Sequence, residues 1–117
     1  MRRVTIQEFN ELIEVREDVF AAINAIFGET ILPDMVALKD ELIREKKRLT
    51  YDVIMVTKDK WGDDMPCAAV TEFWWKDGDE TAAGVNHFLV FNDDEEMMRH
   101  YGSGKMKELD LPEISPN

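Results

Sequence analysis

Tyr51-Asp52-Val53-Ile54-Met55-Val56-Thr57 is the stretch that decides the fold class, because the hydrophobic period changes there from helical to alternating. A strand over Tyr51–Thr57 follows, and everything upstream reads as helix. Thr5 and Glu8 have the spacing of a capping box, with Val4 and Phe9 placed as a hydrophobic staple. Phe9, Leu12, Ile13, Val19, Phe20, Ile23, Ile26 and Phe27 continue one apolar stripe. The spacing predicts a helix from Ile6 to Phe27 that stops at Gly28. A second helix is expected from Pro33-Asp34, carrying Met35, Leu38, Leu42, Ile43 and Leu49 on its apolar side and Lys46-Lys47-Arg48 in its last turn. The short connection 28–32 implies an αα-hairpin.

Downstream of Tyr51, Lys58 to Pro66 (KDKWGDDMP) reads as a polar loop. Cys67–Trp75 and Thr81–Phe91 read as two more strands, joined by the turn signal Lys76-Asp77-Gly78-Asp79. A two-residue turn there sets Trp74 against Thr81 and Phe73 against Ala82, so that small Ala82, Ala83 and Gly84 accommodate Phe73-Trp74-Trp75. In the same register Cys67 pairs with Phe88 and Ala68 with His87. Asn92-Asp93-Asp94-Glu95-Glu96 opens a short helix ending near Tyr101 at Gly102. The expected architecture is α+β with the order ααβββα: an N-terminal αα-hairpin packed on one face of a three-stranded antiparallel sheet, then a short C-terminal helix. Residues 1–108 form one domain and 109–117, with Pro112 and Pro116, an extended or disordered tail.

Charge is the feature with the most functional content. The 117 residues carry 14 Lys+Arg against 25 Asp+Glu, a formal net charge of −11. Residues 1–58 hold 9 basic and 11 acidic side chains, whereas 59–117 hold 5 and 14. Such a field repels nucleic acid and anionic membrane and attracts basic partners. The single cysteine, Cys67, excludes an internal disulfide and fits a reducing, cytoplasmic setting. No signal peptide and no membrane span are expected.

No motif names a reaction. Asp59, Asp63 and Asp64 miss the EF-hand register, and Gly102-Ser103-Gly104-Lys105 misses the phosphate-loop spacing. Adjacent rows of a strand face opposite ways, which separates Cys67 from His87 and disfavours a Cys–His nucleophile. Trp74 and Trp75 must likewise point to opposite faces, and an outward tryptophan suits a binding hot spot.

The leading expectation is a non-enzymatic protein-binding module without cofactor or metal. It acts as an inhibitor of a basic, nucleic-acid-handling partner without binding nucleic acid itself. Size and acidity are similar to those of small phage-encoded inhibitors, anti-CRISPR proteins and DNA mimics among them, and of toxin-neutralising immunity proteins; no motif is shared with them. The partner-facing residues are Asp63, Asp64, Asp77, Asp79, Glu80, Asp93, Asp94, Glu95 and Glu96, with Trp61 or Trp75 as apolar anchor. One alternative is an assembly protein that forms a homodimer through an exposed tryptophan or helix face. Another is a small enzyme or ligand-binding domain with Glu72, His87 or Asp52 in a pocket between helices and sheet.

Overall fold

A computed structural model describes residues 1–76 and 81–109, with 103–109 described by backbone alone. Its elements are β1 (Arg2–Val4), α1 (Ile6–Leu12), α2 (Arg16–Ile26), a π-helical turn (Phe27–Ile31), α3 (Leu32–Ala37), α4 (Lys39–Glu45), β2 (Leu49–Lys58), β3 (Asp64–Trp75), β4 (Ala82–Val90) and α5 (Asp94–Leu109). The class is α+β. The sheet has four strands in the order β1-β4-β3-β2, with every neighbouring pair antiparallel. The strand missing from the sequence reading is β1, whose three residues are too short to show a period; they pair Arg2 with Val90 and Val4 with Phe88.

The Thr5–Glu8 capping box is present, with each residue's backbone N–H donating to the other's side chain, at 2.9 and 3.0 Å. The expected Ile6–Phe27 helix, however, is broken at Ile13. Ile13 leaves the helix to bridge Asp59, while Glu14 N donates to the Lys58 carbonyl and Lys60 N to the Leu12 carbonyl. Those bonds extend the outer edge of β2, and they bury the Ile13 side chain almost completely. A helical spacing of apolar residues does not reveal that competition.

Gly28 does not end a helix. The backbone stays helical from Arg16 to Ala37, 22 residues, through the π turn in which Leu32 N donates to the Phe27 carbonyl. Pro33 supplies the physical reason: it has no N–H to give, and its ring would collide with the carbonyl four residues back. A widened turn just before it absorbs both problems. The five-residue step from Ile26 to Ile31 keeps both side chains in the core, with Met35 following one turn on. By length and composition this path would suffice to cross a bilayer, a property the sequence reading missed, yet it carries Glu29 and Asp34 and packs Ile26, Ile31 and Met35 into the core.

Helices cover both faces of the sheet, not one. On the first face Phe9 stacks on Phe88 at 3.8 Å between ring centroids, with Phe20 edge-on to both, above Val53, Met55, Cys67 and Ala69. On the second, Met97 and Tyr101 of α5 pack with Phe91 over Ala68, Val70 and Leu89. Each fully buried large side chain contributes about 1.5–3 kcal/mol. Gly102, at φ 66°, breaks α5 where the sequence placed its end, although helical backbone resumes beyond it.

The β3–β4 register differs by two residues from the expected one. Trp74 faces Ala83, Phe73 faces Gly84 and Cys67 faces Val90. The Phe73 ring explains the choice: a Cβ on residue 84 would stand 3.0 Å from it, so the glycine must lie beneath this ring. A two-residue shift preserves which face each side chain occupies. The turn signal at residues 77–80 and the tail from 110 lie outside the described residues.

Candidate partner-binding surface

β3 runs from Asp64 at one end of the sheet to Trp75 at the other, roughly 36 Å at about 3.3 Å per residue. The β2–β3 loop therefore sits at one pole. So does the start of α5, because β4 returns to place Phe91 N on the Pro66 carbonyl, 3.0 Å away. The Ile13–Asp59 bridge brings the α1–α2 junction to the same pole. Asp77, Asp79 and Glu80 belong to the connection beyond Trp75, outside the described residues. Two of the three acidic groups read from the sequence thus share one end.

Sequence reading missed the third contributor to that end: Glu14, Glu17 and Asp18. The signal lay in the break after Leu12, which only tertiary pairing creates. The pole gathers ten carboxylates from 13–18, 58–64 and 92–99 against Arg16, Lys58, Lys60 and Arg99, a formal side-chain net of −6 that the Met1 ammonium reduces by one. Asp18 and Asp64 both line an open groove of about 390 Å³, together with Lys58, Val15, Val19, Val56 and Thr57.

The carboxylates are not equivalent. Asp93 caps α5, its Oδ1 accepting from Glu96 N at 2.8 Å. Glu96 closes the reciprocal contact by accepting from Asn92 N at 3.0 Å, and it pairs with the Met1 ammonium at 2.7 Å. These contacts, led by the ammonium hydrogen bond, hold the Glu96 carboxyl below the usual range. Glu95 pairs with Arg99 along the helix at 3.1 Å. Asp59 folds the loop: its Oδ1 accepts from Trp61 N and Asp63 N at 2.9 and 3.0 Å. Asp64 holds Lys58, whose ammonium is shifted upward by that hydrogen bond. Asp63 and Asp94 are exposed with no hydrogen bond or ion pair of their side chains among the described residues. Among the described residues no three His, Cys, Asp or Glu side chains are grouped as metal ligands.

The tryptophans separate cleanly. Trp61 is 70% exposed at the acidic pole, with Lys60 Nζ 4.8 Å from its ring, and Val15 nearby is 47% exposed. Trp75 lies at the far end and faces the helices, where its Nε1 donates to the Met35 carbonyl at 3.3 Å and Lys39 stands over the ring. Trp74 faces the other way beneath the Arg48 guanidinium, 4.4 Å from the ring centroid.

Cys67 and His87 lie on opposite faces, as expected, although their partners are Val90 and Val70. Burial pushes the Cys67 thiol up, away from the thiolate. Asp52, Glu72 and His87 share the face turned away from α1–α4, so they line no common pocket under those helices. Asp52 accepts from Tyr101 Oη at 2.7 Å and Glu72 pairs with Arg48 at 2.7 Å. His87 Nδ1 is buried without a partner. Beneath α2 a cavity of about 220 Å³ is lined by Phe20, Ile23, Phe27, Thr71 and Phe88 and, of Asp52, Glu72 and His87, by His87 alone.

No protein-family model, no curated protein and no solved structure matches this chain.

Proposed function

We propose that this protein is an acidic binding module that docks its carboxylate-rich pole on a basic protein surface and blocks it. The observation that carries the reading is the convergence of Glu14, Glu17, Asp18, Asp59, Asp63, Asp64 and the Asp93–Glu96 run at one end, around exposed Trp61 and Val15. The charge steers approach, and the two apolar side chains supply desolvated contact. A nucleic-acid-handling protein is the fitting partner class, since its cleft is built to receive a row of negative charges. The carboxylates available for this role are chiefly Asp63, Asp64, Asp94, Glu95, Glu17 and Asp18; Asp93 and Glu96 serve the α5 terminus first.

Affinity capture of partners at low salt, followed by salt elution, is the test, with Asp63→Lys/Asp94→Lys and Trp61→Ala as paired variants. A basic nucleic-acid-handling protein that elutes with salt, and binds the charge-reversed variant at least about tenfold more slowly, supports the proposal. A partner whose binding ignores salt and both variants overturns it.

A further inference from the structure

β2 is an edge strand with a full set of unused hydrogen-bonding groups. Lys58 gives its carbonyl to Glu14 on the outer side, and Asp59 N donates inward to Asp63. Along the strand, even-numbered residues therefore present N–H and C=O outward, and odd-numbered residues bond to β3. The outward groups of Thr50, Asp52, Ile54 and Val56 have no backbone partner among the described residues. The free stretch is bounded at both ends. The Ile13–Glu14 junction occupies the edge at Lys58–Lys60, and Lys46, at φ 53°, turns the chain away before Leu49.

Proteins usually blunt such an edge with proline, a bulge, a central lysine or an inward charge. β2 has none of the first three: its pairing with β3 runs unbroken from Leu49↔Phe73 to Lys58↔Asp64. Its one central charge, Asp52, is tied to Tyr101.

We propose that β2 is a dimerisation strand: two copies pair antiparallel along it about a two-fold axis at Val53 and form one eight-stranded sheet. Only one register uses all the outward groups of Thr50, Asp52, Ile54 and Val56 and none already taken. It pairs Thr50 with Val56 and Asp52 with Ile54 of the second copy, and the reverse. Four such pairs exchange two bonds each, which satisfies all the outward groups of both strands. On the α5 face Thr50 then stands across from Val56 and Asp52 from Ile54, while Val53 and Met55 stay buried in their own core.

Charge supports the same geometry. Antiparallel pairing sends the two acidic poles to opposite ends of the assembly. It also brings the start of each β2, next to Lys46-Lys47-Arg48, the chain's basic cluster, toward the acidic pole of the second copy. This inference does not depend on the pole's proposed partner.

Light scattering and sedimentation of the full chain, from micromolar to millimolar concentration, test it. A dimer is expected. Its formation should slow amide exchange at Asp52 and Ile54 but not at Val53 or Met55, which are already bonded to β3. Thr50→Pro removes an outward N–H at an exposed edge position that a monomer tolerates. It should raise the dimer dissociation constant roughly 10- to 100-fold while circular dichroism and melting stay native. Lys47→Glu should weaken the dimer, less steeply at high salt. A strict monomer at every concentration overturns the proposal, as does a dimer indifferent to Thr50→Pro. Open-ended oligomers also overturn it, because they would mean β2 pairs with the shorter free edge of β4 at Ala82, Gly84 and Asn86.

Discussion

His87 shows what one side chain can reveal about solution behaviour. Its Nδ1 is buried without a hydrogen-bond partner, and desolvation, with Arg3 as a second cause, lowers its pKa from the usual value. A base whose folded pKa lies below its unfolded value binds fewer protons when folded. Stability from this group is therefore complete above about pH 6.5 and is lost as pH falls from there through the folded pKa. Glu8 and Glu96 act lower on the scale. Both carboxyls are held below their ordinary range, Glu8 by Thr5 and Glu96 by the Met1 ammonium and Asn92, so their contribution is present near neutrality and lost as pH falls through the carboxylate range. Melting temperature should thus fall in two steps on acidification, and His87→Gln should remove the first step while leaving the second. An unchanged first step would mean that another group carries it. Tyr51, pushed up to about 12 by burial and then by Asp34, and Tyr101, raised by burial and Asp52, stay protonated throughout.

At the scale of elements, α1 illustrates how a short segment depends on its cap. Seven residues cannot hold a helix by propensity, so α1 rests on the Thr5–Glu8 box and on Phe9 packed against Phe88. Thr5→Ala should cost about 1 kcal/mol in denaturant unfolding, because the Glu8 backbone N–H loses the hydroxyl that accepts from it. No measurable change would show that packing alone fixes the terminus. That box was legible in the sequence because its determinants are three residues apart. The strands β2, β3 and β4 were legible for a similar reason, each being a local run with a turn signal beside it. What escaped was non-local. Ile13 leaves its helix because the edge of β2 offers it a pairing, and β1 exists only because β4 does. Gly28 read as the end of one helix and Pro33 as the start of the next, yet a π turn carries the helical path through both because Ile26 and Ile31 both have core positions to fill. For the site, the two local acidic runs were readable; that Glu14, Glu17 and Asp18 join them, and that Trp61 rather than Trp75 stands beside them, required the pole itself.

The whole molecule concentrates its charge imbalance where three chain segments meet, and that makes its response to salt diagnostic. Ten carboxylates share the pole with four basic side chains, so folding brings like charges together that the unfolded chain keeps apart. The opposing ion pairs, Lys58–Asp64, Arg99–Glu95 and Met1–Glu96, are largely solvent-screened and offset little of this. Screening at a Debye length of about 8–10 Å weakens both attractions and repulsions, but repulsions act over more pairs and longer distances at this pole. Raising salt from low to moderate concentration should therefore stabilise the fold, by about 1 kcal/mol or roughly 3–5 °C in melting temperature. The same change should weaken capture of a basic partner. Opposite signs in the two measurements are what an electrostatic docking pole requires, because the repulsion gathered by folding is the energy a cationic surface relieves. A melting temperature that falls with salt would mean that the ion pairs outweigh the repulsion. The pole would then be an ordinary solvated end of the sheet, and Trp61 and Val15 would have to account for any partner on their own.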